Sequence, residues 1–178
     1  MRELMITYRP LSARGSLRLL EVQPKRVEGR IDIRLDEVPE EVKIPYRCLS
    51  YTWGDPSPTQ PVLVNGRTMQ VGSNLYQFLD VARQRFPGKA IWIDAICINQ
   101  NDEVEKSAQV QRMGDIFQQA FEVLAWLGNH DGIERLFNWT CAPRTMSDKL
   151  RVFIPIDGTP KRHHDAATSL AKHPYWTR

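Results

Sequence analysis

The chain has 178 residues, 42% apolar and 25% charged, enough for one domain with a sizeable core, and this excludes wholesale disorder and a second full domain. The longest apolar run, Val123 to Leu127, is too short to span a bilayer, and the opening MRELMITYRP has no apolar leader, so the expected location is cytoplasmic with no membrane partner. Net charge is +3, but residues 1–30 and 142–178 each carry seven Lys/Arg against three Asp/Glu while 31–141 carry ten against fifteen, and an acidic centre argues against a nucleic-acid partner.

Cys48, Cys97 and Cys141 are widely spaced and odd in number, which fits a reducing compartment rather than a disulfide framework. In chain order, Ser16–Val22 and Ile31–Leu35 read as short strands, the second alternating cleanly and half-exposed. Tyr46–Tyr51 reads as a buried strand. Gly54, Pro56 and Pro58 stop it, leaving Trp53 and Asp55 in the loop beyond. Val62 and Val64, then Asn65-Gly66, then Thr68, Met69 and Val71 form a hairpin pattern, because Asn-Gly accepts the positive φ angles of a type I′ turn.

Ser73 is placed to cap a helix to about Arg85, with Leu75, Phe78, Leu79 and Ala82 on one face and Pro87-Gly88 ending it. Ala90–Ile93 reads as a buried strand, with Trp92 in its core, broken by the polar residues of DAICINQND. Asp102 is placed to cap a second helix, Glu105 occupying the capping-box position, and the expected core stripe is Val104, Ala108, Met113, Ile116, Phe117 and Ala120. Phe121–Leu127 is a third buried strand, closed by Gly128. Beyond it the pattern weakens: IERLFNWT suggests a helical turn or two, Val152 to Ile156 is a short apolar segment, and DAATSLAKHPYW suggests a helix halted by Pro174. Strand, helix, strand, helix, strand is the rhythm of a parallel α/β sheet.

Open parallel sheets bind ligands beyond the carboxyl ends of their strands. Two strands end there in polar clusters: Ser50, Tyr51, Trp53 and Asp55 after one, Asp94, Asn99 and Gln100 after the other. Trp and Tyr offer flat faces for a base or nicotinamide ring, Asp accepts two ribose hydroxyls, and Asn or Gln pairs with an amide. The structural alternative is that Asp94 and Asn99 cap turns and Trp53 plugs the sheet end. Cys97, between two isoleucines with no His near it, reads as a buried structural thiol. His163, His164, His173 and Cys141 match no compact zinc spacing, so no metal is expected. The chain carries no phosphate loop, dinucleotide fingerprint, zinc-protease or serine-hydrolase motif.

CLSYTWGD, WIDAICINQND, EKSAQVQRMGDIF and VLAWLG occur in order and closely spaced, and together they resemble the hallmark blocks of the fungal heterokaryon-incompatibility (HET) domain. The lead-in YRPLSARGSLRLLEV and the Asn-Gly hairpin resemble that family too, so the resemblance covers roughly residues 8–128. It implies a single domain over 1–178, with an N-terminal β lead-in over 1–45, an α/β core over 46–128 and an irregular or helical part over 129–178. The implied fold is a TIR-like, flavodoxin-like parallel sheet flanked by helices, with an N-terminal β extension and a β-hairpin insert. The implied role is signalling in fungal self/non-self recognition and incompatibility cell death, by association with itself or with other HET or receptor-like (NLR-type) chains.

Related TIR domains cleave NAD at the nicotinamide–ribose bond, which makes NAD the candidate substrate and an NAD glycohydrolase the alternative function. No other cofactor is implied. The catalytic Glu of that chemistry follows a Trp-x-Arg-x-Trp block in the family. Tyr175, Trp176 and Arg178 match the start of this block, and the expected Glu lies past Arg178, while Glu105 and Glu134 sit elsewhere in the pattern. The implied short form is therefore weakly catalytic or inactive, and a non-functional remnant is the third reading.

Overall fold

A computed structural model describes residues 4–54, 57–128 and, as a strand, 150–153. Among these residues eight strands form one sheet: β1 (Leu17–Val22), β2 (Asp32–Val38), β3 (Arg47–Tyr51), β4 (Thr59–Val64), β5 (Arg67–Gly72), β6 (Ile91–Trp92), β7 (Glu122–Trp126) and β8 (Leu150–Phe153). Their spatial order is β5-β4-β2-β1-β6-β3-β7-β8. The helices are α1 (Ser73–Arg85), α2 (Asp94–Cys97), α3 (Glu103–Gln111) and α4 (Met113–Gln119).

The parallel sheet expected from the sequence is one part of a mixed sheet. β6, β3, β7 and β8 run parallel, with Cys48 opposite both Trp92 and Val123. Numbered among themselves they stand in the order 2-1-3-4. The lead-in adds an antiparallel half. β1 pairs with β2 over its whole length and closes onto β6 through Leu20 and Ile91. The hairpin continues this same sheet, β4 lying parallel to β2 through Leu63 and Val64. Asn65 and Gly66 both have positive φ (50° and 75°), as the expected turn requires. β2 runs on to Val38, past the Leu35 expected, and β8 contains only the start of the apolar segment seen in the sequence.

Alternation along β3 and β7 divides the core between two faces. On one, α1 presents Leu75, Phe78, Leu79 and Ala82 as expected, and Phe78 meets Trp126 edge-to-face at 5.7 Å. On the other, Phe117 of α4 meets Trp92 at 5.8 Å and Cys48 lies under Ile116. Trp92 is 1% exposed, in agreement with its assignment to the core.

Three local expectations are corrected. Ser73 does not cap α1: Gly72 holds that position without a side-chain bond, and the Ser73 hydroxyl donates to the Pro58 carbonyl at 2.9 Å. The second helix is not continuous. It breaks at Arg112, whose guanidinium is drawn to the carbonyls of Arg14, Gly15 and Ser16. Val104 is not core either, being 82% exposed. α3 turns Gln109 inward instead, its amide donating to the Ser16 carbonyl. The helical readings at 129–149 and 154–178, with Tyr175, Trp176 and Arg178, lie outside the described residues, as do Asp55 and the His and Cys141 positions.

Candidate functional site

β6, β3 and β7 run in one direction and end at Trp92, Tyr51 and Trp126, so the segments that follow them share one edge of the sheet. The strand order changes direction at β3, the place where a crevice opens in such sheets. Two of the candidate residues meet beside it, beyond the ends of β3 and β6. Trp53 Nε1 donates to Asp94 Oδ2 at 3.2 Å, although 41 residues separate them. The Trp53 ring is 48% exposed, so it does not plug the sheet end. Asp94 opens α2, and its other oxygen accepts the Ala95 amide at 2.8 Å. One Asp94 oxygen thus fastens a turn, as the structural alternative expects, and the other holds the loop carrying Trp53.

The remaining candidates separate. Gln100 donates to the Asp94 carbonyl at 2.9 Å and belongs to the same cluster. Asn99 Oδ1 accepts the Asn101 amide, the turn-capping role. Ser50 and Tyr51 are consecutive in β3 and leave it on opposite faces. Tyr51 is buried and Ser50 half-buried.

Two sets of contacts that the sequence reading did not foresee hold this edge together. Asn74 donates from Nδ2 to the Thr52 carbonyl at 2.7 Å and accepts the Trp126 indole N–H on Oδ1 at 2.7 Å. One amide at the start of α1 thus ties the chain leaving β3 to the end of β7. The second is a buried ion pair. Arg18 of β1 forks onto Glu105 of α3 at 2.5 and 2.9 Å, their side chains 6% and 9% exposed. Arg18 also donates to the carbonyls of Cys97 and Arg9, and stacks on the Tyr8 ring at 5.0 Å. Glu105 does not close a capping box. Its Oε1 accepts the Asn99 amide at 2.8 Å, while Asp102 alone caps α3 through the amides of Val104 and Glu105. Removing one member of such a pair costs about 3–5 kcal/mol, because the other charge stays buried alone. The signal in the sequence was a charge inside the apolar run Leu17-Arg18-Leu19-Leu20, which demands a buried partner.

Cys97 is a structural thiol. It is 2% exposed, and burial pushes its pKa up to about 12. Burial also raises the Cys48 thiol and the Tyr8 phenol, so none of the three supplies an anion near neutral pH. Among the described residues no group of three or more His, Cys, Asp or Glu is placed to hold a metal, and no helix is long and apolar enough to cross a membrane. Also among them, no buried side-chain N or O lacks a hydrogen-bond partner. A cavity of about 710 Å³ opens at the opposite end of the sheet, between the 39–46 segment and α4, away from Trp53 and Asp94.

Comparison with known proteins gives a consistent picture. Residues 46–178 match the family described as heterokaryon incompatibility protein (HET). The chain is 38% identical over 97 residues to heterokaryon incompatibility protein 6, OR allele, of Neurospora crassa, a match covering 47% of this chain and 14% of that protein. No solved structure matches.

Proposed function

The chain belongs to the heterokaryon incompatibility (HET) family, and from that premise we propose that it is a signalling module of fungal incompatibility that works by association with itself or with another HET or receptor-like chain. The family match over three quarters of the chain carries the role. The association is supported by apolar side chains left in solvent: Val104 and Val110 on α3, and Val42, Ile44 and Phe121 around the amino end of the sheet. The test is light scattering of the purified protein together with pull-down against HET-domain chains. A concentration-dependent complex is expected. A monomer at every concentration that also captures no HET chain overturns the association.

A second reading is favoured by the contact between Trp53 and Asp94. The four parallel strands stand in the order with which a flavodoxin-like sheet begins, and the two residues lie beyond the carboxyl ends of β3 and β6, beside the switch point between β3 and β7. This supports a TIR-like, flavodoxin-like core whose edge takes NAD as substrate. The half-exposed indole would stack on the nicotinamide ring and the Asp94 carboxylate would accept ribose hydroxyls. In hydrolysis the C1′–N1 bond breaks, its electron pair leaves with nicotinamide, and water adds at C1′ to give ADP-ribose and a proton. Calorimetry with NAD and assay of nicotinamide release decide it. Trp53→Ala and Asp94→Asn should each weaken binding about tenfold or more while melting within a few degrees of wild type. Wild-type protein that neither binds nor cleaves NAD rules the reading out.

A further inference from the structure

The residues that fix the Asp94–Asn101 segment do not come from the family-matched stretch alone. Two of them come from the chain before it. Tyr8 donates its hydroxyl to the Ile96 carbonyl at 2.8 Å, and Arg18 donates to the Cys97 carbonyl at 3.1 Å. Glu105, held by Arg18, accepts the Asn99 amide. Three successive points of that segment are therefore gripped through a single cluster.

α3 is built for this grip. An ordinary surface helix turns its apolar side inward. α3 does the reverse. Glu105 and Gln109, one turn apart, face the lead-in, and Arg112 continues the row at its end, while Val104 and Val110 point to solvent. The inward row meets mostly backbone carbonyls and one arginine, and that is how a strap is held in register.

We propose that Tyr8, Arg18 and Glu105 are positioning residues for the ligand edge: the N-terminal strap and the inverted face of α3 hold the Asp94–Asn101 segment so that Asp94 meets Trp53. The inference rests on the second reading above for its ligand, NAD, and on geometry alone for the positioning. It follows that the functional unit of this domain begins near residue 8, well before residue 46.

A core ion pair with a merely structural role and a positioning pair respond differently to the same change. Replacing both members by apolar residues of similar bulk removes the unpaired charge and returns stability. It does not return an acceptor to the Asn99 amide. The test therefore compares the Arg18→Met/Glu105→Leu double variant with wild type by thermal melting, amide hydrogen exchange and NAD calorimetry. The expected result is a near-wild-type melt with exchange at Ile96–Asn101 faster by about tenfold or more, unchanged exchange in the β4–β5 hairpin, and NAD binding weakened by a similar factor. Trp53 emission should shift as its hydrogen bond to Asp94 loosens.

Tyr8→Phe removes only the hydroxyl, bonded to the Ile96 carbonyl at 2.8 Å and reaching the Met69 sulfur at 4.0 Å, and supplies the same comparison if the double variant does not fold. It should quicken exchange over the same residues by a few-fold with the hairpin unchanged. Wild-type protection of Ile96–Asn101 in the folded variants, or a uniform loss across the sheet, overturns the positioning. If wild type does not bind NAD, the NAD reading falls, and the exchange pattern alone still decides whether the strap positions the edge.

Discussion

The two ends of the parallel strands are finished in opposite ways. At the carboxyl end directional bonds close the structure: Trp126 to Asn74 to Thr52, Trp53 to Asp94, Asn99 to Glu105. At the amino end the 39–46 segment leaves a cavity of about 710 Å³ lined by Leu19, Ile44, Ile116 and Phe121, and Phe121 is 62% exposed. Two of its polar neighbours are engaged, Glu122 with Arg47 at 2.7 Å and Arg112 with three backbone carbonyls. The amino end thus presents an open, largely apolar cavity, and the carboxyl end a set of fixed polar bonds beside the half-exposed Trp53. Volume alone does not mark a site.

Substitutions that affect one end and not the other sharpen this contrast. The largest effect is expected where both ends share a foundation. Trp92→Ala should cost about 3–5 kcal/mol in a denaturant or thermal melt, since β6 is only two residues long and Trp92 carries its contact with Phe117. A loss under about 1 kcal/mol would show that β6 is not what joins the two ends.

Next in size is the difference between Asn74→Ala and Tyr46→Phe. The first removes the acceptor that Asn74 gives the Trp126 N–H and its bonds to Thr52, for about 1–3 kcal/mol. The second removes the hydroxyl bonded to the Ile116 carbonyl at 2.7 Å, where the Cys48 thiol remains as a donor, for about 1 kcal/mol. Equal losses in paired melts would erase the claim that the carboxyl end depends more on its polar bonds.

The smallest effect is in pH. Cys97 keeps its proton more tightly when folded, its pKa raised from 9.0 to about 12 by burial. The folded state is thus favoured while the thiol is neutral. That contribution is intact below about pH 9 and is lost as pH climbs toward about 12. Denaturant melts at neutral pH and at about pH 10 should show the decline, and Cys97→Ala should make it shallower, the remainder staying with Cys48, whose thiol burial also raises.

The legible part of the fold was local. Leu75, Phe78, Leu79 and Ala82 declare α1 through their spacing, and Asn65-Gly66 declares its turn. The break at Arg112 was not legible, because the apolar spacing continues through it and the carbonyls that pull the guanidinium lie nearly a hundred residues earlier. Trp53 and Asp94 could be picked out because polar and aromatic residues follow strands that end. Asn74 looked like an ordinary first-turn residue, and Glu105 like half of a capping box. Their partners, Trp126 and Arg18, are distant in sequence, and one chain gives no sign of such pairings.

The place of β1 governs how the molecule is assembled as it leaves the ribosome. The ribbon of β1 and β2 is complete early, yet Leu20 waits for Ile91 and Ile33 waits for Val64. Until those residues are synthesised both margins of the ribbon are open, and unpaired strand margins invite wrong partners. The nascent chain passes through a stage in which its most central strand is also its least protected.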